Sequence, residues 1–248
     1  MKVSIVTATW NSAKTIEATI ASLSEQTYQN IEYIVIDGGS RDATVSILQS
    51  NFELIDYFVS ESDSGIYDAL NKGIAAATGE VVGFLHSDDF FTDNSVVETI
   101  AKTFSNPNID CIFGDLNYIS KNDTNKIVRK WRSGVFDRER IRNGWMPPHP
   151  TFYMRRSLYN KYGGFDLNYR ISADYDSILR FLWTHKISAA YIPKVLVSMR
   201  VGGESNRSLR NIVSKSGEDI QAMKKNGLPF FRAMLGKNLG KIPQFFFK

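Results

Sequence analysis

Length, composition and charge narrow the possibilities before any motif is considered. The chain has 248 residues, 43% of them hydrophobic, and a formal net charge of +4, which suits one large α/β domain with at most a small appendage. No run of about 18 apolar residues is present, so the sequence predicts no bilayer-spanning segment. The N-terminus lacks a secretory signal, and we therefore expect a cytoplasmic protein. The single cysteine, Cys111, excludes an intramolecular disulfide and disfavours a structural zinc site.

Charge is distributed unevenly along the chain. Asp and Glu are concentrated in the N-terminal half, whereas Lys and Arg collect in the C-terminal third. A basic segment of this kind suits nucleic acid, anionic lipid, phosphate-bearing substrates or simply a solvated surface. No recognised nucleic-acid-binding module is present, and the acidic half argues against nucleic acid as a partner.

Apolar runs and helical spacings alternate through the first half of the chain. Strands separated by helices of about 10–15 residues imply crossover units, a mostly parallel central sheet and helices on both of its faces. We predict strands at residues 3–8, 31–36, 55–60 and 81–85, and helices at residues 12–26, 43–49, 66–77 and 94–104.

Polar side chains follow each of these four strands. Ligands of parallel sheets bind at the carboxyl ends of the strands, near the switch in strand order. Four polar clusters at one edge therefore predict a binding site without reference to any family. The clusters are Thr9-Trp10-Asn11, Asp37, Asp63 and Asp88-Asp89.

The adjacent carboxylates of Asp88 and Asp89 follow the fourth strand directly. They repel each other unless a cation or hydrogen-bond donors lie between them. A Mg²⁺ or Mn²⁺ ion held by one or two carboxylates and by diphosphate oxygens fits this arrangement. The alternative is that both carboxylates cap a helix near residues 92–94, and the companion clusters favour the metal.

Asp37 and Trp10 each have two interpretations. The Asp37 carboxylate suits a base N–H or a ribose hydroxyl, although Asp-Gly-Gly-Ser also makes a good turn by itself. The two interpretations of Asp37 do not exclude each other. Trp10 suits stacking on a nucleobase, and a core tryptophan is an equal alternative on the residue alone.

The second half is less regular and ends in a tail that is both basic and apolar. Residues 230–248 mix phenylalanine, leucine and methionine with lysine and arginine, which suits an interfacial membrane segment. A helix packed on the main domain or on a second subunit explains the tail equally, and the oligomeric state is left open. We predict strands at residues 112–119, 127–131, 151–154, 187–192 and 195–201, and helices at residues 156–162, 174–185 and 209–225.

Several motifs resemble glycosyltransferase family 2 in their order and spacing. The resemblance covers roughly residues 1–205, and residues 63–73 look like the version found in bacterial surface-polysaccharide members. The matching segments are VSIVTATWN from Val3, IVIDGGSRDAT from Ile34, DSGIYDALNKG from Asp63, Gly79-Glu80 with Ser87-Asp88-Asp89, GGFD from Gly163, SADYD from Ser172 and VGGES from Val201.

The resemblance implies a GT-A fold, a divalent metal ion (Mn²⁺ or Mg²⁺) and sugar transfer with inversion from a nucleotide-sugar donor, for which UDP-sugars are expected. The implied acceptor is a glycan on a diphosphate-lipid carrier, in the synthesis of a surface polysaccharide such as lipopolysaccharide, at the inner face of the cytoplasmic membrane. We expect a catalytic domain at residues 1–205, with a nucleotide-sugar half to residue 110 and an acceptor half beyond it. A helical extension is expected at residues 206–248.

The same resemblance implies roles for individual residues. Asp174 is the catalytic base that removes the proton from the acceptor hydroxyl, and a helix N-cap is its alternative role. His149 and Asp166 contact the acceptor, and a purely structural role is the alternative for His149. Asp88 and Asp89 are the metal ligands. The nucleotide-sugar pocket is lined by Ala8, Thr9, Trp10, Asp37, Asp63, Lys72 and Asp88.

Three positions depart from the family pattern. His86 stands at the first aspartate of the acidic motif, which leaves two carboxylates for a metal. Ala173 stands where a glutamate usually precedes the base. Leu70 replaces an arginine, and we expect Arg200 or another cation to compensate.

A sugar nucleotidyltransferase and a non-catalytic nucleotide- or glycan-binding module are the competing functions. The first requires a glycine-rich phosphate loop after the first strand, which residues 7–12 lack. The second explains a pocket, but it does not explain Asp174 within a matched acceptor motif.

Overall fold

A mixed sheet organises the protein in the computed structural model, which describes residues 1–202 and 209–239. Its strands are β1 (Val3–Thr9), β2 (Ile31–Asp37), β3 (Tyr57–Ser60), β4 (Val81–Phe84), β5 (Phe90–Phe91), β6 (Cys111–Ile119), β7 (Ile127–Trp131), β8 (Tyr153–Arg155) and β9 (Ala189–Arg200). Eight of them lie in the order β3-β2-β1-β4-β8-β6-β9-β5, and β7 pairs with β6.

Helices cover both faces of the sheet. A π-helical stretch at Leu179–Thr184 continues α7, and short 3-10 helices lie at Phe52–Leu54 and His149–Thr151. The α-helices are α1 (Ile16–Ser24), α2 (Thr44–Gln49), α3 (Ile66–Ala76), α4 (Val96–Phe104), α5 (Arg138–Arg142), α6 (Arg156–Tyr162), α7 (Ala173–Ile178), α8 (Leu209–Lys225) and α9 (Phe230–Leu239).

The first four strands are parallel, as the alternating pattern predicts. Val3 of β1 pairs with Ile31 of β2 on one side and with Val81 of β4 on the other. Every residue of β1 is buried, because helices cover both faces of a parallel sheet. The three strands therefore run side by side, and the loops that follow them meet at one edge.

The second half adds antiparallel strands to this sheet. β8 pairs antiparallel with both β4 and β6, and the two-residue β5 pairs antiparallel with β9. The prediction of separate strands at residues 187–192 and 195–201 was wrong, because β9 is one strand that runs through Pro193. The register between β6 and β9 shifts beside this proline, and a bulge accommodates a residue that has no N–H to donate.

Two hydrophobic cores lie on opposite faces of the sheet. Successive residues of a strand point to opposite sides, so Val6 packs with Leu70 of α3 in one core. Its neighbour Ile5 packs with Ile20 of α1 in the other. Residues of α6, α7 and α8 complete the first core, and residues of α4 complete the second.

The C-terminal helices pack on the second half of the domain. α8 lies against α7, and Arg232 of α9 donates a hydrogen bond to Asn143 at the end of α5, at 2.6 Å. The expected domain boundary after residue 205 and the last part of the tail, residues 240–248, fall outside the described residues. Among the helices in the described part of the chain, none is long and apolar enough to cross a membrane.

Close packing at Gly83 of β4 gives a test of the fold. A Cβ at this position would lie 2.0 Å from the ring of the buried Tyr153, so we expect Gly83→Ala to lower the free energy of unfolding by about 1–3 kcal/mol through overpacking. Gly217→Ala is the matched control, because a Cβ there meets nothing within 4 Å. In the middle of α8 it should stabilise by about 0.5–1 kcal/mol. Urea denaturation measures both, and equal effects would contradict the packing.

Candidate functional site

The loops after β1 and β2 are tied to each other by hydrogen bonds. Asn11 adopts a left-handed backbone conformation, with φ of 50°, which asparagine tolerates better than most residues. Its side-chain oxygen accepts a hydrogen bond from the Arg41 N–H at 2.9 Å, and its own N–H donates to the Ser40 hydroxyl at 2.8 Å. The Ser12 N–H donates to the Thr44 hydroxyl at 2.7 Å. These hydrogen bonds fix the loop after β1 to the loop after β2 at the sheet edge.

Trp10 is presented to solvent by this loop. Its side chain is 64% exposed, which removes the alternative that it belongs to the core. Ala8 and Thr9, which precede it, are buried at the end of β1. The Thr9 hydroxyl has no hydrogen-bond partner among the described residues. An indole at this edge is free to stack on a planar ligand.

Asp37 is fully buried and closes the turn after β2. Its carboxylate accepts hydrogen bonds from the Gly39 and Ser40 N–H groups at 3.1 and 2.9 Å, and from the hydroxyls of Ser40 and Ser60 at 2.5 and 2.7 Å. Four donors use most of the acceptor capacity of a carboxylate. The geometry therefore supports the turn interpretation, and a contact between Asp37 and a nucleotide remains a prediction.

Asp63 and Lys72 lie beside this turn. Asp63 is half-buried and packs so closely on Gly38 that an added Cβ there would lie 2.4 Å from the carboxylate. The Lys72 ammonium lies 2.7 Å from a Glu61 carboxylate oxygen, and this contact raises the pKa of Lys72. The side chains expected at the nucleotide pocket thus lie along the same edge as Trp10.

The turn at His86–Asp89 is anchored from two directions. The Ser12 and Ser87 hydroxyls lie 2.9 Å apart, and the Thr19 hydroxyl of α1 donates to the Asp89 carbonyl at 2.7 Å. Helix α4 begins only at Val96, and no side chain caps it. Neither aspartate of the turn is therefore a helix cap.

Asp88 and Asp89 differ in their environments. Asp89 is 1% exposed, and its carboxylate accepts a hydrogen bond from the Arg200 N–H at 3.1 Å. The Arg200 guanidinium donates to the Asp88 carbonyl. Burial, followed by the nearby Asp88 carboxylate, raises the pKa of Asp89 well above its usual range. Asp88 is only half-buried, and the assignment of both aspartates to a metal stays a prediction.

His86 of this turn packs on His149, which also stacks on Phe84. The ring centroids of His86 and His149 lie 5.6 Å apart, and Phe84 stacks on His149 at the same distance. The His86 Nδ1 and His149 Nε2 atoms are buried without a partner in the described part of the protein. Burial lowers the pKa of His149 to about 4 and also lowers that of His86. Both rings are therefore neutral at pH 7.

Asp174 lies within electrostatic range of both histidines. It lies in the first turn of α7, where Ser172 occupies the N-cap position, so the N-cap alternative for Asp174 is wrong. The Tyr67 hydroxyl of α3 lies 3.3 Å from its carboxylate. The negative charge of Asp174 opposes the lowering of both histidine pKa values, and Asp88 acts likewise on His86. Asp88 and Asp174 thus both lie within electrostatic range of the His86 imidazole.

Asp166 is engaged elsewhere. Its carboxylate accepts hydrogen bonds from the N–H and the side-chain amide of Asn168 at 2.9 and 2.7 Å, and from the Lys225 ammonium of α8 at 2.7 Å. The hydrogen bond from Lys225 lowers the pKa of Asp166. These donors give Asp166 a structural role, and its expected contact with an acceptor stays a prediction.

Arg200 and Tyr67 are the residues whose roles sequence reasoning missed. Arg200 was expected only as a substitute cation, and Tyr67 lies in a quoted motif without a role. Both act through contacts between residues more than 100 positions apart. Such pairs have no signal in a single sequence.

The fold is of the GT-A class. Its parallel half carries the turn with Asp88 and Asp89, and its second half, which contains the antiparallel strands, carries Asp174. Two solved structures share this fold at a TM-score of 0.67 and 19% sequence identity. They are TarS of S. aureus (residues 1–349) in complex with UDP-GlcNAc, and the mannosyltransferase PcManGT from Pyrobaculum calidifontis in complex with GDP-Man and Mn²⁺. The matches cover 91% and 90% of this chain but only 65% and 63% of those chains.

The family model described as "Glycosyl transferase family 2" matches residues 4–165. The chain belongs to this family and is a glycosyltransferase. It is 34% identical over 194 residues to an uncharacterized glycosyltransferase of Mycobacterium tuberculosis, covering 72% of this chain and 68% of that protein. It is also 30% identical over 208 residues to a PGL/p-HBAD biosynthesis glycosyltransferase of Mycobacterium bovis, covering 82% and 78%.

The low pKa of His149 makes folding sensitive to acid. The folded-state pKa of about 4 lies below the ordinary value of 6.5, so the unfolded chain binds a proton that the folded protein rejects. This contribution to stability is full above pH 6.5 and is lost as the pH falls toward 4. We expect wild type to lose about 2 kcal/mol more than His149→Phe between pH 7.5 and pH 5. Urea denaturation at both pH values measures this, and parallel losses would contradict a neutral buried imidazole.

Proposed function

We propose that this glycosyltransferase is inverting and metal-dependent, and that it moves a sugar from a UDP-sugar to a glycan acceptor carried on a lipid diphosphate. The observation that carries the proposal is that Asp88, in the turn after β4, and Asp174, in the first turn of α7, both lie within electrostatic range of His86. A donor diphosphate at Asp88 and an acceptor hydroxyl at Asp174 would then meet across one cleft.

The proposed base is Asp174. It is half-buried, and its carboxylate keeps capacity beyond the 2.8 Å hydrogen bond from the Tyr175 N–H and the contact with Tyr67. In a single displacement, the acceptor oxygen attacks the anomeric carbon, its proton passes to Asp174, and the bond to the nucleoside diphosphate breaks. A base on the acceptor side and a leaving group on the opposite side produce inversion.

The residues present fit a divalent ion shared with the donor. Within residues 1–202 and 209–239, no group of three or more His, Cys, Asp or Glu side chains is arranged to hold a metal. Mg²⁺ and Mn²⁺ bind through one or two carboxylates plus phosphate oxygens, and Asp88 supplies such a carboxylate. When bound, the ion offsets the charge that develops on the departing diphosphate. Arg200 holds the turn that presents Asp88.

The donor pocket proposed here lies between Trp10 and Asp63. Trp10 is exposed for stacking on the base, and Asp63 and Lys72 line the side of the pocket. The structures named above hold UDP-GlcNAc in one case and GDP-Man with Mn²⁺ in the other, which supports a nucleotide-sugar here. A uridine donor is favoured because the half-buried Asp63 carboxylate suits the uracil N–H.

The acceptor is proposed to approach over His149, which lies within electrostatic range of Asp174. A lipid-linked acceptor would bring the enzyme to a membrane surface. The mixed basic and apolar composition of residues 230–248 supports a peripheral contact. Within the described part of the tail, Phe231 is largely exposed.

Deleting residues 230–248 should abolish binding to vesicles containing anionic lipid, and unchanged binding would contradict the membrane contact.

The base role is tested by Asp174→Asn. We expect kcat with an active donor from a panel of UDP- and GDP-sugars to fall roughly 10²–10⁴-fold, because the amide cannot accept the hydroxyl proton. Affinity for UDP with Mn²⁺, measured by calorimetry, should stay within about threefold of wild type. An Asn variant with full turnover would remove Asp174 from the mechanism.

The metal assignment is tested by the same substitution at two adjacent positions. Asp88→Asn should weaken Mn²⁺-dependent UDP binding roughly tenfold or more, because it removes the carboxylate ligand. Asp89→Asn should have a smaller effect, because its buried carboxyl already faces the Arg200 N–H, which an amide oxygen also satisfies. The reverse order of effects in calorimetry would contradict the assignment.

A further inference from the structure

The segment that carries the proposed base is held by a residue of the C-terminal extension. Glu218 of α8 accepts hydrogen bonds from the Ile171 and Ser172 N–H groups, both at 2.8 Å and both to the same carboxylate oxygen. Ser172 is the N-cap residue of α7, and Asp174 follows two positions later. The Glu218 carboxylate thus satisfies two backbone N–H groups directly before the helical turn that carries Asp174.

The same segment is fixed from the donor side of the fold. The Tyr67 hydroxyl donates to the Ile171 carbonyl at 2.6 Å and lies 3.3 Å from the Asp174 carboxylate. The peptide groups of Ile171 are therefore held by α3 on one side and by α8 on the other. Because the N–H and the carbonyl of Ile171 are both hydrogen-bonded, the first turn of α7 has little freedom to move Asp174.

A second contact sets the register of α8 on α7. Asp176 is fully buried, and its carboxylate accepts a hydrogen bond from the Asn226 amide at 2.9 Å and lies 3.4 Å from the Lys225 ammonium. Glu218 and Lys225 are seven residues apart, which is two helical turns, so they share one face of α8. That face is thereby locked along α7.

We propose that Glu218 is a positioning residue for the base: it fixes the Ile171–Ser172 backbone so that the Asp174 carboxylate meets the acceptor hydroxyl. This inference rests on the proposed function of Asp174. It makes the C-terminal extension a component of the acceptor half of the site. Glu218 acts through the Ile171–Ser172 backbone and needs no contact with the substrate or the reacting atoms.

Truncation of Glu218 tests the proposal through the reaction. With UDP-GlcNAc and Mn²⁺ as the probe, Glu218→Ala should lower the rate of UDP release roughly 10- to 100-fold, because a displaced base costs rate and not donor binding. Affinity for UDP with Mn²⁺ should remain within about twofold. Glu218→Gln should restore most of the rate, since an amide oxygen accepts the same two N–H groups. Gln221→Ala, an exposed position on the same helix, is the control and should match wild type.

Hydrogen exchange tests the contact independently of turnover. The Ile171 and Ser172 amides should exchange at least about tenfold faster in Glu218→Ala than in Gln221→Ala, while exchange in β1 stays unchanged. Unchanged protection at these two amides would overturn the proposal, as would a Glu218→Ala variant with wild-type turnover. Equal losses in Glu218→Gln and Glu218→Ala would also overturn it, because charge and not backbone positioning would then be the cause.

Asp174→Asn, assayed in parallel, separates this inference from the proposed function. If Asp174→Asn keeps its activity, the base assignment fails, whatever Glu218 does. If Asp174→Asn is inactive while Glu218→Ala behaves as wild type, only the positioning role fails.

Discussion

The parallel pairing of β1 with β2 on one side and with β4 on the other is the constraint on which the site depends. Val3 is in register with both Ile31 and Val81, so the strands run side by side toward one edge. A shift of one residue would turn every buried side chain of a strand to the other face, and both faces here are packed. The core therefore holds the three loops together at that edge.

The acidic residues of the site divide into two groups by burial. Asp37, Asp89 and Asp176 are buried, and each carboxylate accepts hydrogen bonds that hold a loop or a helix in place. Asp88 and Asp174 are half-buried. A buried carboxylate without donors would be costly, so partners are obligatory for the first group. The second group keeps capacity for ligands, which is why the proposed chemistry falls to Asp88 and Asp174.

Prediction from the sequence was most successful in the first half of the chain, where strand and helix patterns alternate regularly. The four parallel strands and their helices followed from apolar periodicity, since both depend on local spacing. β5 was missed because two residues carry no period. β9 was divided because proline disfavours a strand interior, and the bulge beside Pro193 leaves no sign in the sequence.

The positions of the candidate residues at the strand ends were predictable, but their contacts were less so. Position at a strand end indicated Asp37, Asp63 and Asp88-Asp89, but the sequence could not distinguish a buried carboxylate from an accessible one. The contact between Asp166 and Lys225 joins residues 59 positions apart. Glu218 lies in no recognised motif, and its role arises only from the docking of α8 on α7. Interactions of this kind depend on tertiary packing, which periodicity and spacing do not encode.

The central claim is that the donor diphosphate and its metal bind at Asp88, across the cleft from Asp174. The most direct measurement is anomalous diffraction at the manganese edge from crystals soaked with Mn²⁺ and UDP. We expect one strong peak within coordination distance of the Asp88 carboxylate, with the uracil ring beside Trp10. A bound nucleotide with manganese remote from Asp88, or with manganese against the Asp89 carboxylate in the interior, would contradict it.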